Sequence, residues 1–382
     1  MPCFYEFFAG GGMVRAGLGA NWSCLFANDF DARKAASYTR NWGDTGEFRL
    51  GDVAELVADD LPGMADLAWG SFPCQDLSLA GAGAGLGGSR SGTFYPFWDV
   101  ISGLIAQGRA PRLVAVENVC GALTSHAGRD FQAICQMFAK NGYRFGAVVV
   151  DAALFLPQSR PRLFVIGIRK GMPTPAALLS DGPQAPFHTE GLRSAVAKLP
   201  DTLKTDWIWW RLPEPPRRRS GFSDLIEAEP ESVRWRTAAE TEALIRLMSP
   251  LHLGRLQDAK RSGRTVVGCV YRRTRNDAQG AKVQRAEVRF DDMAGCLRTP
   301  SGGSSRQTVL IVEGEHVRSR LISSREAARL MGLPDNYVLP SVYNEAYHLL
   351  GDGVAAPVAR HLAEHLFEPI LAGAMGEGRR AA

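Results

Sequence analysis

The stretch Cys3-Phe4-Tyr5-Glu6-Phe7-Phe8-Ala9-Gly10-Gly11-Gly12 decides the fold. A short, mostly apolar run, rich in aromatic residues and stopped by three glycines, reads as a buried strand opening into a tight turn. Runs of the same kind recur at Ser23–Asn28, Ala65–Trp69, Arg112–Glu117, Phe145–Val150 and Leu163–Ile168. Segments of helical length and period, such as Arg33–Asn41 and Arg129–Asn141, lie between several of them. This alternation predicts an α/β, doubly wound, Rossmann-like domain: a parallel sheet covered by helices on both faces. Ligands in such sheets bind beyond the carboxyl ends of the strands. The residues to inspect are therefore Phe8–Gly12, Asp29, Phe72-Pro73-Cys74-Gln75 and Glu117-Asn118.

Outward from that core, 382 residues with 45% apolar content allow one large domain carrying a smaller one. No 18-residue apolar run and no basic-then-apolar leader is found, so a cytoplasmic protein without a membrane partner is expected. The seven cysteines are odd in number, scattered and never spaced as Cys-x-x-Cys. They suggest neither disulfides nor a metal site, and all but Cys74 read as small core or surface residues.

From about Gly171 prolines become frequent, and Trp207-Ile208-Trp209-Trp210 precedes Arg217-Arg218-Arg219. The expected organisation is a catalytic domain over 1–170, an inserted domain over 171–291, and a closing segment over 292–382 whose last helix completes the catalytic domain. Between Arg255 and Arg289 basic residues outnumber acidic ones ten to three, including Arg272, Arg273 and Arg275. Such a run either binds phosphates or is a solvated face. The three tryptophans either pack in a core or contact a ligand.

Gly10-Gly11-Gly12 supplies a turn where backbone can approach a nucleotide-like ligand, with Asp29 placed for ribose hydroxyls and Phe8 either stacking on a base or packing inside. Pro73 fixes the backbone just before the Cys74 thiol. A thiol at a ligand edge is nucleophilic only where other groups activate it and absorb the charge its attack creates, and Glu117 is the candidate for that role.

In order along the chain, Phe8–Gly12, Asn28-Asp29-Phe30, Gly51-Asp52-Val53, Phe72-Pro73-Cys74-Gln75, Glu117-Asn118-Val119, Gln158-Ser159-Arg160-Pro161-Arg162 and Arg325–Pro334 resemble the motifs of the DNA cytosine-5 methyltransferase family. Two departures stand out: Gly351-Asp352-Gly353-Val354 where Gly-Asn-x-Val is usual, and Glu6 where aspartate is commoner. The resemblance implies transfer of a methyl group from S-adenosylmethionine to carbon 5 of a flipped-out cytosine in duplex DNA. Cys74 would be the nucleophile, Glu117 the acid, and Arg160 and Arg162 supporting cations. The implied cofactor residues are Phe8, Ala9, Gly10, Gly12, Asp29, Phe30, Asp52, Val53, Phe72, Pro73, Asp352 and Val354. The expected DNA contacts are Gln75, Ser78, Arg90, Arg272, Arg273 and Arg275, and the glycine-rich stretch 80–92 that follows the nucleophile is either a lid over the substrate or a disordered surface loop. A monomer is expected, in bacterial cytoplasm or nucleoid, with a cognate restriction endonuclease as candidate partner. The competing readings are a transfer-RNA cytosine-5 methyltransferase on the same motifs, and a catalytically silent DNA-binding relative.

Overall fold

The structure is a computed structural model and describes residues 1–73, 93–277, 279–298 and 306–378. The chain divides into two compact units. The first contains residues 1–151, 161–216 and the segment from Ala356 on, and the second contains Ala152–Arg160 and Arg217–Ala355.

The first unit is built on strands β1 (Cys3–Phe7), β2 (Ser23–Asp29), β3 (Phe48–Leu50), β4 (Leu67–Gly70), β5 (Leu113–Val119), β6 (Tyr143–Asp151) and β7 (Pro161–Arg169), in the order β3-β2-β1-β4-β5-β7-β6. The run from β3 to β5 is parallel. The order reverses between β1 and β4, which makes the crevice beyond their carboxyl ends the natural ligand position. Helices α1 (Met13–Leu18), α2 (Ala32–Trp42), α3 (Phe94–Ala106) and α4 (Arg129–Lys140) follow β1, β2, β4 and β5.

Strand β1 is buried on both sides, since successive side chains point to opposite faces and both faces are covered. Phe7 meets Phe97 of α3 edge to face at 5.0 Å, while Phe4 meets Trp22, and Trp69 of β4 meets Phe367 near the chain's end. Expected all-parallel, the sheet contains one reversed strand, β7, antiparallel to β5 and to β6. The connection from Asp151 to Pro161 is too short for a parallel crossover, which takes about a dozen residues or more.

The break expected near Gly171 lies at a different place from the division of the structure, since residues 171–216 group with the first unit. Here short strands β8 (Leu179–Ser180) and β9 (Trp209–Trp210) pair, helices α5 (Glu190–Ala197) and α6 (Asp201–Lys204) lie between them, and Ile208 donates its N–H to Phe145 O of β6 at 2.7 Å. That approach needs Gly146, whose added Cβ would fall 1.9 Å from Ile208 O. Trp210 is fully buried, and Trp207 and Trp209 pack on the main core, so the tryptophan cluster is core.

The second unit has helices α7 (Ala238–Arg246) and α8 (Pro250–Arg261) and strands β10 (Thr265–Asn276), β11 (Lys282–Arg289), β12 (Thr308–Glu313) and β13 (His316–Leu321). The strands form an antiparallel sheet in the order β11-β10-β12-β13. Leu244 and Leu256 from the helices pack on Val270, Val288 and Leu310. Helices α9 (Ser324–Arg329) and α10 (Tyr343–Asp352) complete this unit, and α11 (Ala356–Leu362) and α12 (Glu368–Gly378) belong to the first.

Candidate active site

At the carboxyl end of β1 the chain turns through Phe8 and Gly10, both at positive φ (59° and 56°), and Gly12 at 76°. Only glycine adopts such angles without cost, which explains Gly10 and Gly12; Phe8 holds its angle against that cost. Among the described residues, an added Cβ on Gly10 would meet nothing within 4 Å, which leaves room there for an approaching ligand. The Gly10 N–H donates to Asp29 Oδ2 and the Asp31 N–H to Asp29 Oδ1, each at 2.9 Å. Asp29 is thus a buried anchor between the turn and the start of α2, and its burial raises the carboxyl above its ordinary value.

Ala9 is buried beneath the turn and Phe8 packs partly into the core, whereas the next aromatic, Phe30, is 68% exposed beside Asp29. Asn28 donates to the carbonyls of Arg49 (3.0 Å) and Gly51 (2.9 Å), which fixes the segment carrying Asp52. Asp52 caps the short helix at Val53, accepting from the Ala54 N–H, and Val53 is buried.

Beyond β4, Phe72 is buried against Phe94, and its carbonyl accepts from Asn118 Nδ2 at 3.1 Å. Asn118 also accepts the Val119 N–H at 2.8 Å. One amide therefore ties the Phe72-Pro73 segment to the end of β5. Glu117, on the same strand, is buried and paired with Arg162, Oε1 to Nε at 3.2 Å. The reversal of β7 explains the pairing: its first residues lie beside the last residues of β5, with Arg162 opposite Val119. Cys74, Gln75, Ser78, Arg90 and the stretch 80–92 lie outside the described residues. Burial pushes up the thiols of Cys3, Cys24, Cys120, Cys135 and Cys269, which makes each a poor nucleophile.

Arg160, Asp352 and Val354 belong to the second unit. Arg160 is buried and donates to the carbonyls of Leu297 (3.0 Å), Gly351 (2.8 Å) and Gly353 (2.6 Å). Its guanidinium holds main chain together, including the residues on either side of Asp352. Gln158 acts likewise, accepting from the Leu297 N–H and donating to Leu330 O. Asp352 itself is exposed and Val354 buried.

Strand alternation splits the expected basic cluster. Arg273 and Arg275 share one face of β10 and both pair with Glu287, at 3.5 and 2.7 Å, while Arg272 points to the other face. Sequence reasoning gave no role to Asn118 or Gln158, although both lie inside the motifs named above.

A parallel-dominated sheet with a glycine turn at its switch point makes the first unit an α/β fold, and solved structures of methyltransferases share it. The chain is similar to the Dnmt2 methyltransferase of S. pombe (TM-score 0.60, 17% identity, 97% of this chain and 99% of that one). It is also similar to a putative DNA modification methyltransferase of an E. coli prophage (TM-score 0.54, 18% identity, 98% and 100%). Among curated proteins it is similar to the Type II methyltransferases M1.ScrFI of Lactococcus lactis subsp. cremoris (24% identity, 95% of this chain, 77% of the relative) and M.NlaX of Neisseria lactamica (25%, 94% and 95%). The model of the C-5 cytosine-specific DNA methylases matches residues 3–368, and the chain belongs to that family.

Proposed function

We propose that this enzyme methylates carbon 5 of a cytosine turned out of duplex DNA, with S-adenosylmethionine as donor and a covalent bond between Cys74 and carbon 6 of the base. The observation that carries the reading is the convergence at one sheet edge of Glu117 paired with Arg162, and of a Phe72-Pro73 segment clamped by Asn118 immediately before Cys74. The open glycine turn, the Asp29 anchor and the exposed Phe30 ring fit the cofactor. They offer backbone, an acidic acceptor and a stacking face. The cofactor supplies an electrophilic methyl group on a sulfonium.

Carbon 5 of cytosine is too weak a nucleophile to take that methyl group unaided. Addition of the Cys74 thiolate to carbon 6 pushes an electron pair through the ring, and Glu117 neutralises the charge that develops at nitrogen 3. Arg162, beside Glu117, orients the carboxyl and donates to the ring carbonyl. Once carbon 5 carries the methyl group, its proton leaves, the carbon 5–carbon 6 double bond reforms and the Cys74 thiolate is expelled. The base cannot react while stacked in a duplex, so it must be flipped out. The second unit's basic strands are assigned to DNA. The Type II relatives make a cognate restriction endonuclease a proposed partner.

DNA carrying 5-fluorocytosine at the target tests the covalent step. Fluorine cannot leave as a cation, so the methylated adduct should survive denaturation, and mass spectrometry should place it on Cys74. Cys74→Ser should give no adduct and no methylation while still binding DNA. Efficient methylation of ordinary cytosine without an adduct, or an adduct on another cysteine, would refute the mechanism. Methylation of transfer RNA but not of duplex DNA would overturn the substrate.

A further inference from the structure

We infer that Trp42 is a positioning residue for the cofactor turn, a reading that rests on the S-adenosylmethionine assignment above. Trp42 ends α2, and its indole Nε1–H donates to Gly11 O at 3.0 Å. The same ring lies so close to the next residue that a Cβ on Gly12 would fall 2.2 Å from Nε1 and 2.8 Å from Cδ1. The indole is itself held: the Arg15 guanidinium stacks 4.9 Å from its centroid and pairs with Glu47.

The turn is therefore fixed from both ends of α2. At the start of the helix Asp29 takes the Gly10 and Asp31 N–H groups, and at its end Trp42 takes the Gly11 carbonyl. The Gly12 N–H meanwhile donates to Ala9 O at 2.8 Å. Glycines at positive φ have the most conformational freedom to lose, so a turn left unbraced would have to be ordered by the ligand at the cost of affinity. Trp42 removes that cost in advance, and it does so by a contact that phenylalanine or another apolar residue cannot reproduce.

Trp42→Phe keeps a ring against Gly12 and deletes the donor. Losing one such hydrogen bond should raise the Kd for S-adenosylmethionine and for S-adenosylhomocysteine about fivefold. KM for the cofactor should rise in parallel, with kcat and KM for DNA unchanged. Calorimetric titration and steady-state kinetics on the full chain read these values. A coupled measurement guards against loss of folding: Gly12→Ala should weaken cofactor binding less in a Trp42→Ala background than in the wild type, because its Cβ then meets no indole. Unchanged Kd and KM in Trp42→Phe, or a fall in Tm and kcat with KM unaltered, would make Trp42 a packing residue and overturn the inference. Failure of the wild-type protein to bind S-adenosylmethionine would instead remove the cofactor assignment.

Discussion

Glu117 and Glu6 are both buried carboxyls in the first unit, and their surroundings give them opposite work. Glu117 has the Arg162 guanidinium at 3.2 Å and lies near the carboxyl end of β5, where the proposed reaction needs an acid. Glu117→Gln keeps the shape but cannot deliver a full proton, so kcat should fall roughly 10²- to 10⁴-fold, the usual range for lost acid–base assistance. A rise confined to KM for DNA would make Glu117 a binding residue. Glu6 is fully buried beside the Val14 and Arg15 main chain at the start of α1. Burial pushes it up to about 8, against the opposing pull of Arg15 and of the nearby Val14 and Arg15 main chain. The folded protein thus holds a proton that the unfolded chain, at 4.5, releases. The stabilisation is complete below the unfolded value and is lost as pH rises through about 8. Glu6→Gln should gain stability relative to the wild type between pH 5 and 8.5. Parallel Tm profiles for the two proteins over that range would remove the buried proton from the account. The presence of Glu6 in place of aspartate was legible in the sequence; its complete burial depends on where α1 packs and was not.

Among the elements, the strands with long apolar runs were readable because burial on both faces demands such runs, and β1, β2, β4, β5, β6 and β7 fall where those runs are. The three-residue β3 was not, since Phe48–Leu50 is too short to show a period. Strand direction was not legible either. Composition is the same for both senses of β7, and only the length of the connection from Asp151 decides it. Arg162 reaches Glu117 through that reversal, so the motifs bring the two residues under suspicion while their spacing in the chain says nothing of the contact. Strand β10 repeats the point, because a list of arginines does not show that alternation puts Arg273 and Arg275 over Glu287 and Arg272 opposite. Arg275 holds the Glu287 carboxyl below its ordinary range through their hydrogen bond. With the strand assigned to DNA phosphates, Glu287→Gln should free the two arginines and steepen the dependence of log K on log salt by about one. Arg272→Ala should flatten it by a similar amount. Binding isotherms from 50 to 300 mM salt read both slopes, about one either way. Unchanged slopes would return the strand to an ordinary solvated edge.

At the scale of the whole molecule, the first unit is closed by residues distant in sequence. Helix α11 belongs to this unit and packs on α1. Gly17 of α1 lies so near that an added Cβ would fall 2.4 Å from Ala356 O and 2.6 Å from Ala359 Cβ. Arg360 donates to Leu18 O at 2.8 Å and pairs with Glu368, which accepts from Trp22 Nε1 at 2.9 Å. Phe367 fills the space over Trp69. Removing this segment uncovers one face of β1 and β4, including fully buried Phe4 and Trp69, each worth roughly 2–3 kcal/mol of burial. Two such losses approach the ~5–15 kcal/mol by which a domain is stable at all. A chain ending at Ala355 should therefore fail to fold its first unit and fail to bind S-adenosylmethionine, whereas Gly17→Val in the full chain should fold with a lowered Tm. Circular dichroism melts, with calorimetric titration of S-adenosylhomocysteine, distinguish the two. A truncated chain that melts cooperatively and binds as tightly as the full one would mean that the glycine turn and its sheet stand without the returning helices, and the packing of α1 on α11 would then be dispensable to the cofactor edge.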